Sequence, residues 1–210
     1  FYSYTRYIVS GGLGIGQKGY RIGDPMLIPF ANDYFRPIGG MYGVMELQPG
    51  QVNWGTVNPQ PYPGAVRLLL WSVFAGGSDF TCTYRFRQPI YGDEQYHAGI
   101  VGTDGITPSR GGLEYHQFIT EIAKLRKLYN PKAQLPVEYT KRKTAILHNV
   151  DNTWSMSKQK QTVEWNTDNH IQKYYKPLKS FGAPVDVVNE EADWNKYPAL
   201  IVPAYQLVDD

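Results

Sequence analysis

The residues most able to do chemistry are few. Glu46 closes the short apolar run YGVMEL, and a Pro49-Gly50 turn and an Asn53-Trp54 pair come directly after it. Further on, EQYH offers Glu94 and His97 from a segment punctuated by Pro89 and Gly92. A carboxylate held at the tip of a strand suits nucleophilic or acid/base work. Trp54, carried past it by a tight turn, presents a flat apolar face with a polar edge, which suits stacking on a sugar ring. An acid and an imidazole on a loop suit hydrogen bonding to hydroxyls. Each has a plainer reading. Glu46 can instead be salt-bridged to Arg85 and Arg87, and Glu94 with His97 can be a pair that merely stabilises its loop.

Other motifs carry less. GIGQKG, Gly14 to Gly19, matches G-x-G-x-x-G, but YRIGDP comes next where a dinucleotide site needs a helix. It reads as a flexible loop. The E-x-x-H spacing of Glu94 and His97 occurs once and in a loop, whereas di-iron sites use it in pairs on long helices. His97, His116, His148 and His170 are scattered, and Cys82 is the one cysteine. This gives no zinc spacing and no internal disulfide, so neither a metal nor a cofactor is expected.

These side chains need elements to hold them. Residues 2–8 read as a strand ending at Tyr7, 9–25 as Gly-rich loop, and PMLIPFANDYF as a short helix weakened by Pro29. Residues 42–46 are a second strand. In GAVRLLLWSVFA, Val66, Leu69, Leu70, Val73 and Phe74 form one helical face between Pro63 and Gly76-Gly77. FTCTYRFR alternates Phe80, Cys82, Tyr84 and Phe86 with polar residues, as a strand does. A loop over 88–112 leads to the helical LEYHQFITEIAKLRKLY. Strands and helices thus alternate, which implies parallel strands joined by crossover helices. Ligand sites in such folds lie at the carboxyl ends of the strands. There Tyr7, Glu46, and Glu94 with His97 succeed three consecutive strands. The polar, Pro-containing stretch 131–143 reads as a linker. Beyond it, TAILHN, PVDVV and ALIVPAY are strands. VEWNTDNHIQKYYKPLKSFG has Ile171, Tyr174, Tyr175 and Leu178 at helical spacing, with a break expected at Pro177 and a stop at Gly182.

Composition bounds the partners. With 210 residues and 42% hydrophobic content the chain can bury a core of one or two domains. Lys+Arg of 21 against Asp+Glu of 19 gives a net charge of +2, which does not point to nucleic acid or to an anionic membrane surface. No apolar run nears the ~20 residues of a membrane span. Aromatic residues make up 14% of the chain, including 17 Tyr. Phe1 opens directly inside a strand-like run and the chain stops just after another, so a piece of a longer polypeptide is expected. Its compartment, cytoplasmic or periplasmic, is then left open, because any signal would lie upstream.

MELQPGQVNW, NPQPYPGAVRLLLWSVFAGGSD and YRFRQPIYGDEQYHAGIVG together resemble family 42 glycoside hydrolases, the retaining β-galactosidases. The resemblance implies an α/β chain: residues 1–130 as the C-terminal part of a (β/α)8 TIM barrel, 131–143 as linker, and 144–210 as the start of a flavodoxin-like, glutamine-amidotransferase-like trimerisation domain. It implies that Glu46 is the catalytic nucleophile on barrel strand 7, and that Trp54, Glu94 and His97 line the galactose site. A Tyr ending strand 6 touches the nucleophile in that family. Tyr7 is the match and Tyr4 the alternative, because YSYTRY departs from the commoner family form. The substrate is then a β-galactoside and the partner a second and third copy of the chain. The family's acid/base Glu follows an Asn on strand 4, and its zinc-binding cysteines, where present, also lie upstream; neither has a counterpart here. The chain alone is therefore expected to be inactive. A non-catalytic galactoside-binding module and an oligomerisation module are the alternatives.

Overall fold

The structure, a computed structural model, describes residues 1–8, 21–55, 57–130 and 133–208. The GIGQKG motif and most of the expected 9–25 loop lie outside the described residues. The chain divides into two compact units. One comprises Phe1–Asn32 and Gly40–Lys132, the other Asp33–Gly39 and Ala133–Asp210.

In the first unit, strands β1 (Tyr2–Arg6), β2 (Tyr42–Leu47) and β3 (Phe80–Thr83) form a parallel sheet in the order β1-β2-β3. Parallel neighbours need crossovers, and helices supply them. Helix α1 (Leu27–Phe35) lies between β1 and β2 in the chain, α2 (Ala65–Ala75) between β2 and β3, and α3 (Arg110–Leu125) comes after β3. Pro29 does not weaken α1. It falls in the first turn, where backbone N–H groups have no intrahelical partner. Asp24 accepts from Met26 N just ahead of it, at 2.9 Å.

Strand β2 carries one residue more than either neighbour. Tyr4 pairs with Val44 but Thr5 with Glu46, so Met45 is passed over. On the other side Thr81 pairs with Val44 and Thr83 with Leu47. Such a bulge re-aims the side chains beyond it. It lets Val44 and Leu47 both be fully buried while Met45 is exposed and Glu46 half-buried.

Helices α2 and α3 lock together through polar ends. The Glu114 carboxylate of α3 accepts from Gly64 N at 2.8 Å and Arg67 N at 2.9 Å, filling donors that the first turn of α2 leaves open. Arg67 makes two bonds to Glu121, at 2.9 and 2.8 Å, and Trp71 Nε1 donates to the same carboxylate at 3.0 Å. Two expectations need correction. Strand β3 stops at Thr83 instead of running to Arg87, and Cys82 and Phe86, expected on its apolar face, are exposed. Helix α3 starts at Arg110 inside the expected loop, because Ser109 caps it by accepting from Gly112 N at 3.0 Å. Gly111 and Gly112 read as loop by type, yet their bareness is steric: a Cβ on Gly111 would lie 1.4 Å from Pro49 O.

In the second unit, β4 (Thr144–Leu147), β5 (Val185–Val188) and β6 (Ala199–Ile201) form a parallel sheet in the order β5-β4-β6. A one-turn helix, α4 (Val137–Thr140), stands inside the expected linker. Helix α5 (Val150–Lys158), to which sequence patterning assigns nothing, begins at an Asn149 cap. Helix α6 (Thr167–Ser180) runs through Pro177 without ending there; the missing N–H falls in its last turns, and Gly182 comes next with φ of +72°. Ala145, Ile146, Tyr175 and Val185 form the core with no exposed surface.

Two buried acids sit in this unit among three cations. Arg36 Nη2 donates to Asp33 Oδ1 at 2.7 Å, to Asp186 Oδ1 at 2.8 Å and to Val185 O at 2.7 Å. Lys143 Nζ lies 2.5 Å from Asp186 Oδ2, and Lys179 Nζ 2.9 Å from Asp33 Oδ2. The Tyr175 and Tyr197 hydroxyls donate to Asp33 and Asp186 at 2.7 and 2.9 Å. Burial alone raises the Asp186 pKa, but its bonds and charge attraction to Lys143 and Arg36 outweigh that and hold it below the usual carboxylate value.

Both the glycine contact and the buried acids can be tested by unfolding. Gly→Ala in a helix ordinarily gains up to about 1 kcal/mol. Gly111→Ala is instead expected to lose about 1–3 kcal/mol or more through overlap with Pro49, read from the urea unfolding midpoint. Because the folded pKa of Asp186 is depressed, its contribution is complete above about pH 4 and is lost as pH falls through the folded value. Asp186→Asn is expected to cost about 3 kcal/mol at pH 7 and to flatten the acid side of the stability profile.

Candidate functional site

Glu46 is the penultimate residue of β2, just past the bulge. The turn after it is held from three sides. Gln48, almost fully buried, accepts from Ile8 N and donates through Nε2 to Gly50 O at 2.6 Å, tying the end of β1 to the turn. Pro49 O rests against bare Gly111 of α3, and Gly50 against Ala98. Gln51 O accepts from Ala98 N at 2.8 Å, and Asn53 Nδ2 donates to Asp93 O. The segment after β2 and the segment carrying Glu94 and His97 are therefore one stitched surface.

On that surface Tyr7 Oη donates to Glu46 Oε2 at 2.9 Å. The Tyr7 ring meets the Trp54 ring edge-on, with centroids 4.8 Å apart, and the His97 ring at 6.1 Å. Trp54 keeps about half of its surface exposed. His97 is fully buried; its Nδ1 lies 3.1 Å from Ala98 O and its Nε2 meets no hydrogen-bond partner. Glu94 Oε2 accepts from Tyr84 Oη at 2.5 Å and from Arg85 Nη1 at 2.8 Å. Tyr84 in turn sets its ring edge against His97, 5.3 Å away. The cluster reads as a chain: Glu46, Tyr7, His97, Tyr84, Glu94.

The electrostatics keep both phenols protonated. Burial, then the hydrogen bond to Glu46 and its charge, push the Tyr7 pKa well above the ordinary phenol range. The bond to Glu94, then burial, raise that of Tyr84. Each carboxylate thus faces a neutral donor.

All five residues singled out from the sequence, Tyr7, Glu46, Trp54, Glu94 and His97, fall in this cluster. Tyr4, the alternative to Tyr7, points elsewhere: its hydroxyl donates to Asn32 at 2.7 Å, and burial pushes its pKa up to about 12. The plainer reading of Glu46 as salt-bridged to Arg85 or Arg87 is not met among the described residues: Arg85 pairs with Glu94, and Arg87 donates to Thr103 O at 3.0 Å. Glu94 and His97 do not pair through their side chains; His97 N donates to Glu94 O at 2.8 Å, and Tyr84 stands between them. Sequence reasoning misses Tyr84 and Gln48, and it names Asn53 without giving it a role. Tyr84 is absorbed into the alternation of a strand that ends one residue before it. Among the described residues no group of three His, Cys, Asp or Glu side chains is arranged to hold a metal, and no helix is long and apolar enough to cross a membrane.

Known proteins resemble both units. The glycoside hydrolase family 42 model described as beta-galactosidase matches residues 1–125, and that described as the beta-galactosidase trimerisation domain matches 142–210. Beta-galactosidase BgaA of a Thermus species is 36% identical over 189 residues, 90% of this chain but 28% of that protein. BgaH of Haloferax lucentense is 34% identical over 191 residues, 90% of this chain and 27% of that protein. Among solved structures, the beta-galactosidase of the psychrophilic Marinomonas ef1 superposes with a TM-score of 0.84 at 29% identity, over 96% of this chain and 32% of that one. That of the Antarctic haloarchaeon Halorubrum lacusprofundi gives 0.85 at 29%, over 98% and 30%. The chain thus spans less than a third of the length of these relatives.

The Tyr7–Glu46 bond is open to direct measurement. Glu46→Gln removes the charge that helps to raise the Tyr7 pKa, so Tyr7 is expected to ionise at lower pH, though still above an ordinary phenol because it remains buried. Ultraviolet titration of each background, with and without Tyr7→Phe, isolates that phenol. An unmoved midpoint would mean that the two groups do not interact.

Proposed function

The chain belongs to the family 42 β-galactosidases, and from that premise we propose that it forms part of a retaining β-galactosidase acting on terminal β-D-galactosides, with Glu46 as nucleophile. One observation carries the reading: a carboxylate at the carboxyl end of a parallel strand, held by a neutral tyrosine hydroxyl whose ring also braces a half-exposed tryptophan. In this reading residues 1–130 are the C-terminal part of a (β/α)8 barrel. Residues 131–143 link them to 144–210, the flavodoxin-like start of a trimerisation domain.

Retaining hydrolysis needs two carboxyl groups ~5–5.5 Å apart across the scissile bond. Glu46, ionised, attacks the anomeric carbon, and the leaving oxygen takes a proton from the second carboxyl. A glycosyl-enzyme forms on Glu46. The second carboxyl then deprotonates water, which attacks the same carbon and releases galactose with Glu46 regenerated. Tyr7 Oη holds Oε2, which orients Oε1 toward the sugar and stabilises charge as it returns to the carboxylate. Trp54 stacks on the apolar face of the ring and Glu94 contacts its hydroxyls; His97, buried between Tyr7 and Tyr84, reaches a hydroxyl with its unpaired Nε2 once those rings make way for the sugar. The acid/base carboxyl comes from a barrel strand outside these 210 residues, so the chain alone does not turn over. The partners are further copies of the chain, as a trimer, with neither nucleic acid nor membrane involved.

The complete gene product carrying these residues is expected to hydrolyse 4-nitrophenyl β-D-galactoside with retention, and Glu46→Gln to lower kcat by about 10³-fold or more. Light scattering is expected to give a trimer. Robust turnover by the isolated 210-residue chain, abolished by Glu46→Gln, would refute the split of the two carboxyls. Inversion at the anomeric carbon would refute the nucleophile role.

A further inference from the structure

Tyr84 connects two residues whose roles above are separate. Its hydroxyl donates to Glu94 Oε2, and its ring packs against His97. Arg85, the next residue, donates to the same oxygen. An ionised carboxylate has about four lone-pair sites, two on each oxygen. Both donors fall on Oε2, and among the described residues none reaches Oε1.

We propose that Tyr84 is a positioning residue for sugar recognition: with Arg85 it fixes Glu94 through Oε2, so that Oε1 alone is presented to a galactoside hydroxyl. The inference rests on the reading of Glu94 as a sugar contact and adds how that contact is made. A free glutamate samples many rotamers and offers either oxygen. One held before the ligand arrives has already met its ordering cost, worth about three- to tenfold in affinity. The geometry also restricts direction, because a fixed carboxylate plane leaves hydroxyls to approach Oε1 near that plane, along its two lone-pair directions. The same phenol closes one flank of His97, which is buried with its Nε2 unpaired. The raised Tyr84 pKa keeps the hydroxyl a donor through neutral and mildly alkaline pH.

A double-mutant cycle in the complete gene product tests this, with kcat and KM for 4-nitrophenyl β-D-galactoside measured for wild type, Tyr84→Phe, Glu94→Gln and the pair. Tyr84→Phe is expected to raise KM about three- to tenfold and to leave kcat within about twofold. On the Glu94→Gln background the same change should add less than about twofold, since the group it positions is already impaired. Equal losses on both backgrounds, or a loss confined to kcat, would overturn the inference. Should Tyr84→Phe fold poorly, Arg85→Gln removes the other donor to Oε2 and is expected to show the same dependence on Glu94; independence counts against the proposal. Galactose titration of the same proteins reads the cycle without turnover. A wild type that binds galactose but does not hydrolyse sinks the glycosidase reading and leaves affinity to decide this one. A wild type that does neither overturns both.

Discussion

The candidate site depends on one extra residue in β2. Without it, Val44 and Glu46 would share a face and Met45 and Leu47 the other, as strict alternation demands. With it, Val44 and Leu47 both enter the core and the two residues between them, Met45 and Glu46, are released from it. The sheet keeps its apolar anchor on either side of the irregularity, so Glu46 can be aimed without loosening the strand that carries it. The turn beyond Glu46 is equally constrained. Gln48 replaces a missing strand partner for Ile8, and Pro49 sits so close to α3 that only glycine fits opposite. A carboxylate is precise only if its backbone cannot drift, and three contacts within five residues prevent that.

The cluster around Glu46 is built from neutral donors. Cations are placed against Glu94 and against the buried acids of the second unit, whereas Glu46 has a phenol. In the proposed nucleophile role this matters, because a guanidinium would hold the carboxylate's electrons tightly, whereas a phenol orients it with less loss of reactivity. The perpendicular rings of Tyr7, His97 and Tyr84 then act as spacers that set the separation of Glu46 and Glu94, with Trp54 bracing Tyr7 from the side.

Much of this is legible in the residues, for reasons that differ by element. The β-α alternation announces parallel strands, and the apolar face of α2 is where its periodicity puts it, with Val66, Leu70 and Val73 buried. Tyr7, Glu46, Trp54, Glu94 and His97 come together because each lies at or beyond a strand end, and parallel topology gathers such ends. The misses are residues whose role depends on a distant partner. Gly111 reads as loop until Pro49 is placed against it. Tyr84 reads as strand until Glu94 is seen to draw it out. Helix α5 has a weak apolar pattern, with only Asn152 and Met156 buried, and rests on its Asn149 cap. The bulge in β2 has no local signature at all, since it exists only in the register with its neighbours.

The membership of Asp33–Gly39 in the second unit has a consequence for heredity. That unit is discontinuous in the gene: Asp33 and Arg36 are encoded far ahead of the Tyr175, Lys179 and Asp186 they bind. Recombination that exchanged everything beyond residue 133 as a cassette would separate acids from the bases that neutralise them. An incoming segment would be tolerated only if it restored the match at Asp33 and Arg36. The two halves of the coding sequence are therefore bound to change together, although the polar stretch before β4 looks like a place to cut.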